Sequence, residues 1–190
     1  MGFEGTEATI SDANGNLLMS SNGVWIADAT GDTMMNGSGL NPGAEVNAYP
    51  KGLLLPYANI ILPYPNDTNK YVLFHHTCEW DGISYPSYQV FYSVIDMTLN
   101  GGLGGVDSLQ KNVIALQDTL GWGLAACRHA NGRDWWIVVQ KQNTDSIFKI
   151  LFTTTGIASI SAQKLNVPKN WYDVTQPTFS PDGTQFAYSV

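Results

Sequence analysis

The chain has 190 residues and a formal net charge of −7, with only 13% of its residues charged. That length supports one packed core, but the negative balance repels a phosphate backbone and no basic stripe offsets it, which excludes nucleic acid as a partner. Nineteen glycines and nine prolines among so few charges describe many short strands joined by turns rather than charge-laced helices.

At the N-terminus, Met1-Gly2-Phe3-Glu4 offers neither a charged segment nor an apolar one, so no signal peptide is expected in this chain. The first hairpin is expected over residues 9–19, turning at Asn14-Gly15, and a third strand at residues 24–28. The apolar stretch from Gly52 to Leu62 is interrupted by proline and too short to cross a bilayer. A second hairpin follows over residues 61–74, around the longer polar turn Asn66 to Asn69, with its third strand at 91–96. Two insertions, 77–87 and 99–110, are rich in Gly, Tyr and Trp, and loops of that length commonly carry a binding surface. Residues 113–116 form a linking apolar segment, 126–137 a third hairpin turning at Asn131-Gly132, and 148–153 its third strand. A fourth hairpin, 178–188, turns at Asp182-Gly183.

The strands after the turns, such as Tyr71-Val72-Leu73-Phe74 and Trp135-Trp136-Ile137-Val138-Val139, are apolar without alternation, as strands covered on both faces are. Hairpins recurring at intervals of roughly fifty residues are the signature of a β-propeller. The expectation is therefore an all-β fold: a partial β-propeller of about three complete blades plus the first hairpin of a fourth, each blade having three to four antiparallel strands. The approximate blades are 4–48, 49–110, 111–168 and 169–190.

Phe179-Ser180-Pro181-Asp182-Gly183-Thr184-Gln185-Phe186-Ala187-Tyr188 resembles the WD-like hairpin repeat of bacterial periplasmic and secreted propellers. With Ser11-Asp12-Ala13-Asn14-Gly15-Asn16-Leu17-Leu18, Asn22-Gly23-Val24-Trp25, Met35-Asn36-Gly37, Ser93-Val94-Ile95-Asp96-Met97 and His129-Ala130-Asn131-Gly132-Arg133-Asp134-Trp135-Trp136, the chain is similar to secreted or surface propeller proteins of Bacteroidota, many of which carry a C-terminal type IX secretion sorting domain. The resemblance implies an exported, secreted or cell-surface protein of which this chain is an N-proximal part, and brings no catalytic residues with it.

Among residues with chemistry, His75-His76-Thr77-Cys78 with Glu79 gathers metal-ligating types, yet adjacent strand residues face opposite ways, so the two histidines cannot share one ion. Asp12, Asn14 and Asn16, and likewise Asn66, Asp67 and Asn69, space oxygens as a calcium loop does but lack its distal glutamate and suit hairpin turns; no metal or cofactor is expected. Cys78 and Cys127 read as free, half-buried thiols, with a bridge between them as the alternative. Asp12, Asp96 and Asp134 are the carboxylates a glycosidase would need, although each has an ordinary turn or strand-end role, as have Arg128 and His129. Gly101-Gly102-Leu103-Gly104-Gly105 lacks the lysine of a phosphate loop and reads as a connection. Trp25, Trp135 and Trp136 are expected to fill the gaps between blades. Trp80, Tyr85, Tyr88, Trp122, Trp171 and Tyr172 lie in or near loops and are the candidate ligand-binding residues.

The functional expectation is a non-catalytic module, a rigid platform binding protein or surface glycan through its loop face, and neither inserting in a membrane nor acting as an enzyme. The alternative is a carbohydrate-active enzyme completed by blades outside this chain. Open strand edges, one of them at Phe186 to Val190, are expected to meet the remaining blades or to self-associate.

Overall fold

The computed structural model describes residues 1–167 and 176–188. Four strands come first: β1 (Ala8–Ser11), β2 (Leu17–Ser21), β3 (Trp25–Asp28) and β4 (Thr33–Ser38). After a short helix α1 (Ala44–Ala48) come β5 (Asn59–Pro63), β6 (Lys70–His76), β7 (Ser87–Asp96) and the two-residue β8 (Gly105–Val106). Then follow β9 (Val113–Arg128), β10 (Trp135–Lys141), β11 (Ser146–Thr153) and β12 (Gly156–Lys164), and a small hairpin of β13 (Thr178–Phe179) and β14 (Phe186–Ala187).

The chain is all-β, but the expectation of a propeller is overturned. Twelve strands belong to one hydrogen-bonded mixed sheet in the order β1-β2-β3-β4-β8-β7-β9-β10-β11-β12, with β6 on the other edge of β7 and β5 beyond it. Among the described residues this sheet closes into neither a propeller nor a barrel, and the units read as blades are not separate sheets. Two connections make it continuous. Met35 of β4 forms a parallel bridge to Gly105 of β8, which is itself antiparallel to the end of β7. Strand β9, sixteen residues long, pairs with β7 through its first half and with β10 through its second.

The hairpin turns do form. Gly15, Gly132 and Gly183 have φ of 85°, 71° and 70°, a left-handed backbone that side chains other than those of glycine and Asx resist. The apolar run in β6 has the cause its pattern implied, since Val72, Leu73 and Phe74 are all fully buried. Val72 and Phe74 join Leu62, Val90, Leu116, Ile137, Ile150 and Phe152 in one cluster. Leu73 faces the opposite way and packs with Ile61 and Ile95 against Met19, Ile26 and Met34. Both faces of β6 are thus covered, one by residues of β9 to β11 and the other by residues of β2 to β4.

A third cluster consists of Val24, Leu53, Leu55, Ala58 and Cys78, with Trp25, Val46, Tyr85 and Trp122 packed around it. The other large indoles divide. Trp135 is half-buried against the first cluster, donates from Nε1 to the Pro63 carbonyl at 2.8 Å and carries the Arg128 guanidinium on its face; Trp136 is half-buried beside His129.

Candidate functional site

The site begins at an irregularity in β9. Leu124 stands opposite Val139 and Leu120 opposite Lys141, so the three residues Gly121-Trp122-Gly123 face the single Gln140. This is also where β9 changes partner, because Leu120 pairs with Ser87 at the start of β7. Gly123, at φ 93°, takes a conformation that a side chain would strain. The Leu124 amide leaves the ladder to donate to the Tyr57 carbonyl at 2.9 Å. The bulge aims the Trp122 indole at the 77–86 loop, where Nε1 donates to the Tyr85 carbonyl at 2.9 Å.

That loop is held at both ends. Thr77 Oγ1 accepts from the amides of Tyr88 and Gln89, each at 3.1 Å, and the Glu79 amide donates to the Pro86 carbonyl. At the tip, Asp81 Oδ1 accepts from the amides of Ile83 and Ser84 at 2.8 Å, an Asx turn that keeps the Asp81 carboxyl below its ordinary range. The loop is therefore built by short-range hydrogen bonds and presented as a fixed shape.

On this frame sits a cluster of aromatic rings. Trp80 packs on Tyr85 with ring centroids 4.8 Å apart, and Tyr85 meets Tyr49 edge-on at 6.1 Å. The Tyr49 and Tyr85 hydroxyls are 2.8 Å apart, one donating to the other, which leaves the acceptor's own proton free to point elsewhere. The bond to Tyr49, with burial, pushes the Tyr85 phenol up to about 12. Trp80 remains 50% exposed. Beneath the rings, burial raises the Cys78 thiol to about 12 and keeps it protonated. Burial and the nearby Glu45 both raise the Glu79 carboxyl. Glu79 lies over Gly43 so closely that a β-carbon there would come within 2.5 Å of Oε1.

Three of the six residues expected to bind a ligand are thus brought together: Trp80, Tyr85 and Trp122. Tyr88, the second residue of β7, is 41% exposed. Trp171 and Tyr172 lie outside the described residues. Tyr49 and Glu45 were missed. Their one sequence signal is position, in and just after a short helix that no periodic pattern announces.

Elsewhere the chemistry-bearing residues are engaged in local hydrogen bonds, His76 through Nδ1 alone. His75 Nδ1 lies 2.6 Å from Asn41 Oδ1 and its Nε2 3.3 Å from Ser93 Oγ, while His76 turns to Ser87 Oγ at 2.7 Å. The two rings leave opposite faces of β6, and burial lowers both to about 3. Among the described residues no three His, Cys, Asp or Glu side chains converge as a metal set, and both cysteines are free. Asp12 accepts from the amides of Asn14 and Asn16, Asp96 from Thr98, and Asp134 from Arg133 and Asn131. These bonds hold all three carboxyls low, Asp134 at about 2, so they serve as turn acceptors and are poorly suited to donate a proton.

The arrangement offers a flat apolar ring face and the Glu79 carboxylate on the 77–86 loop, with the Glu45 carboxylate and the Tyr49 hydroxyl brought to it by α1, and no activated nucleophile among them. Comparison with protein-family models, with curated proteins and with solved structures finds no match to this chain in any of the three.

Proposed function

We propose that the chain is a non-catalytic binding module that holds a sugar ring of a surface glycan against Trp80. The observation carrying this reading is a half-exposed indole packed at a tilt against a tyrosine that is itself fixed twice, by Trp122 through its carbonyl and by Tyr49 through its hydroxyl. A ring pinned in this way loses little freedom on binding, so its contact area converts to affinity instead of being offset by ordering. The Glu79 and Glu45 carboxylates and the free hydroxyl proton supply acceptors and a donor for sugar hydroxyls beside an apolar face. The short motifs shared with secreted or surface propeller proteins of Bacteroidota, though not their fold, support placing the module outside the cell, where such glycans are met.

A glycan array probed with the purified chain, followed by tryptophan-fluorescence titration of its hits, tests the reading. Trp80→Ala is expected to weaken binding at least about tenfold, or ~1.4 kcal/mol, while far-UV circular dichroism and the thermal midpoint stay unchanged. Binding that survives Trp80→Ala, or an array with no hits, contradicts it.

A further inference from the structure

The twelve-stranded sheet ends on β12, whose outer edge pairs with no other strand among the described residues. An unpaired edge is a template for another strand, and proteins usually blunt it. β1, at the opposite end of the sheet, has only four residues, and the free strand β5 ends in Pro63. β12 has nine residues, no proline and no charge before Lys164; its one irregularity is a bulge at Ala158, where Leu151 faces Ser159 and Phe152 faces Ile157. From Ala158 to Lys164 every side chain is exposed, Ile160 to 46%.

Two further features say what fits there. The segment Ala158-Ser159-Ile160-Ser161-Ala162 reads the same in both directions. In an antiparallel pair centred on Ile160, Ala158 of each copy therefore meets Ala162 of the other, Ser159 meets Ser161, and Ile160 meets itself. Lys164 falls opposite Gly156, so no like charges are opposed. The second feature is a row across the sheet: Ala126 lies opposite Ile137, Ile137 opposite Ile150, and Ile150 opposite Ile160, where the row ends in solvent. A second Ile160 would continue it.

We propose that β12 is the interface of a homodimer, two copies of this chain adding their sheets edge to edge about a twofold axis through Ile160. Such a contact is isologous and closes at two, so it satisfies both edges without forming a fibre. The proposal is independent of the glycan reading.

Sedimentation velocity over a concentration series, with cysteine cross-linking in a Cys127→Ser background, tests it. The chain is expected to dimerise, and Ile160→Cys to form a disulfide-linked dimer on mild oxidation because the two β-carbons meet on the axis. Ser159→Cys alone is expected to cross-link far less, and to do so efficiently when mixed with Ser161→Cys. Ile160→Lys, which opposes two ammonium groups at an exposed site, is expected to weaken the dimer at least tenfold while leaving the thermal midpoint of the monomer unchanged. A monomer at all concentrations, a dimer that Ile160→Lys leaves intact, or cross-linking at 159 as fast as at 160 would each overturn the proposal.

Discussion

His75 leaves β6 towards Asn41 and Ser93, and His76, one residue on, leaves it towards Ser87. Strand alternation sends them to different partners, which is why a metal-like sequence holds two separately hydrogen-bonded buried imidazoles, His76 adding to the lowering of His75. Both are fully buried and neutral, with burial lowering each to about 3, although the Gly123 backbone pulls His76 slightly the other way. The unfolded chain binds a proton at each ring below pH ~6.5 and the folded chain does not until pH ~3, so stability present above 6.5 falls as pH falls through this window. Urea unfolding between pH 7 and 5, above the range where Asp12, Asp96 and Asp134 titrate, is expected to show a slope of up to about 1.4 kcal/mol per pH unit for each ring. His75→Asn should remove part of it; a flat profile for the wild type contradicts the burial of both neutral rings.

At the scale of elements, β6, one strand in from the unpaired edge of β5, is buried because its two faces belong to different clusters. Leu73→Ala is expected to cost about 2–5 kcal/mol and Phe74→Ala about 3–5, each by opening a cavity on its own side, as read by denaturant midpoints at constant slope. Equal and small losses would mean that one face is solvated. The burial of this strand was legible in the sequence, as were the hairpins, because Asn-Gly and Asp-Gly turns and an unbroken apolar run each have a local cause. β9 was not. The linking segment at 113–116 and the start of the hairpin at 126 belong to one long strand, and Gly121-Trp122-Gly123 is a bulge within it. The parallel bridge from Met35 to Gly105 left no trace either, because two residues of β8 carry no period. With 113–116 taken only as a link and the bridge at Gly105 unseen, the pairing of β9 to β7 and of β4 to β8 was missed, and one continuous sheet was divided into separate blades. The site followed the same division: loop aromatics such as Trp80, Tyr85 and Trp122 stand out by type, but Tyr49 reaches them only through tertiary packing.

Across the whole molecule, the place where β9 changes partner and the place where the aromatic cluster is anchored are the same. Trp122 belongs to the bulge, Tyr85 to the loop that β7 follows, and the neighbouring amides of His76, Thr77 and Leu124 donate to Ala58, Gln89 and Tyr57. A continuous sheet makes this junction part of the core, whereas blades meeting there would leave it a hinge. That distinction decides whether the rings form a preset face or one assembled on contact. Native-state hydrogen exchange reports it residue by residue. The amides of Thr77 and Leu124 are expected to exchange only through global unfolding, with the same free energy and denaturant slope as the amides of Leu73 and Ile137. Exchange at Thr77 and Leu124 through a smaller opening, several kcal/mol below the global value, would show that the two flanks of the sheet part at β9 and that the site is not held in place.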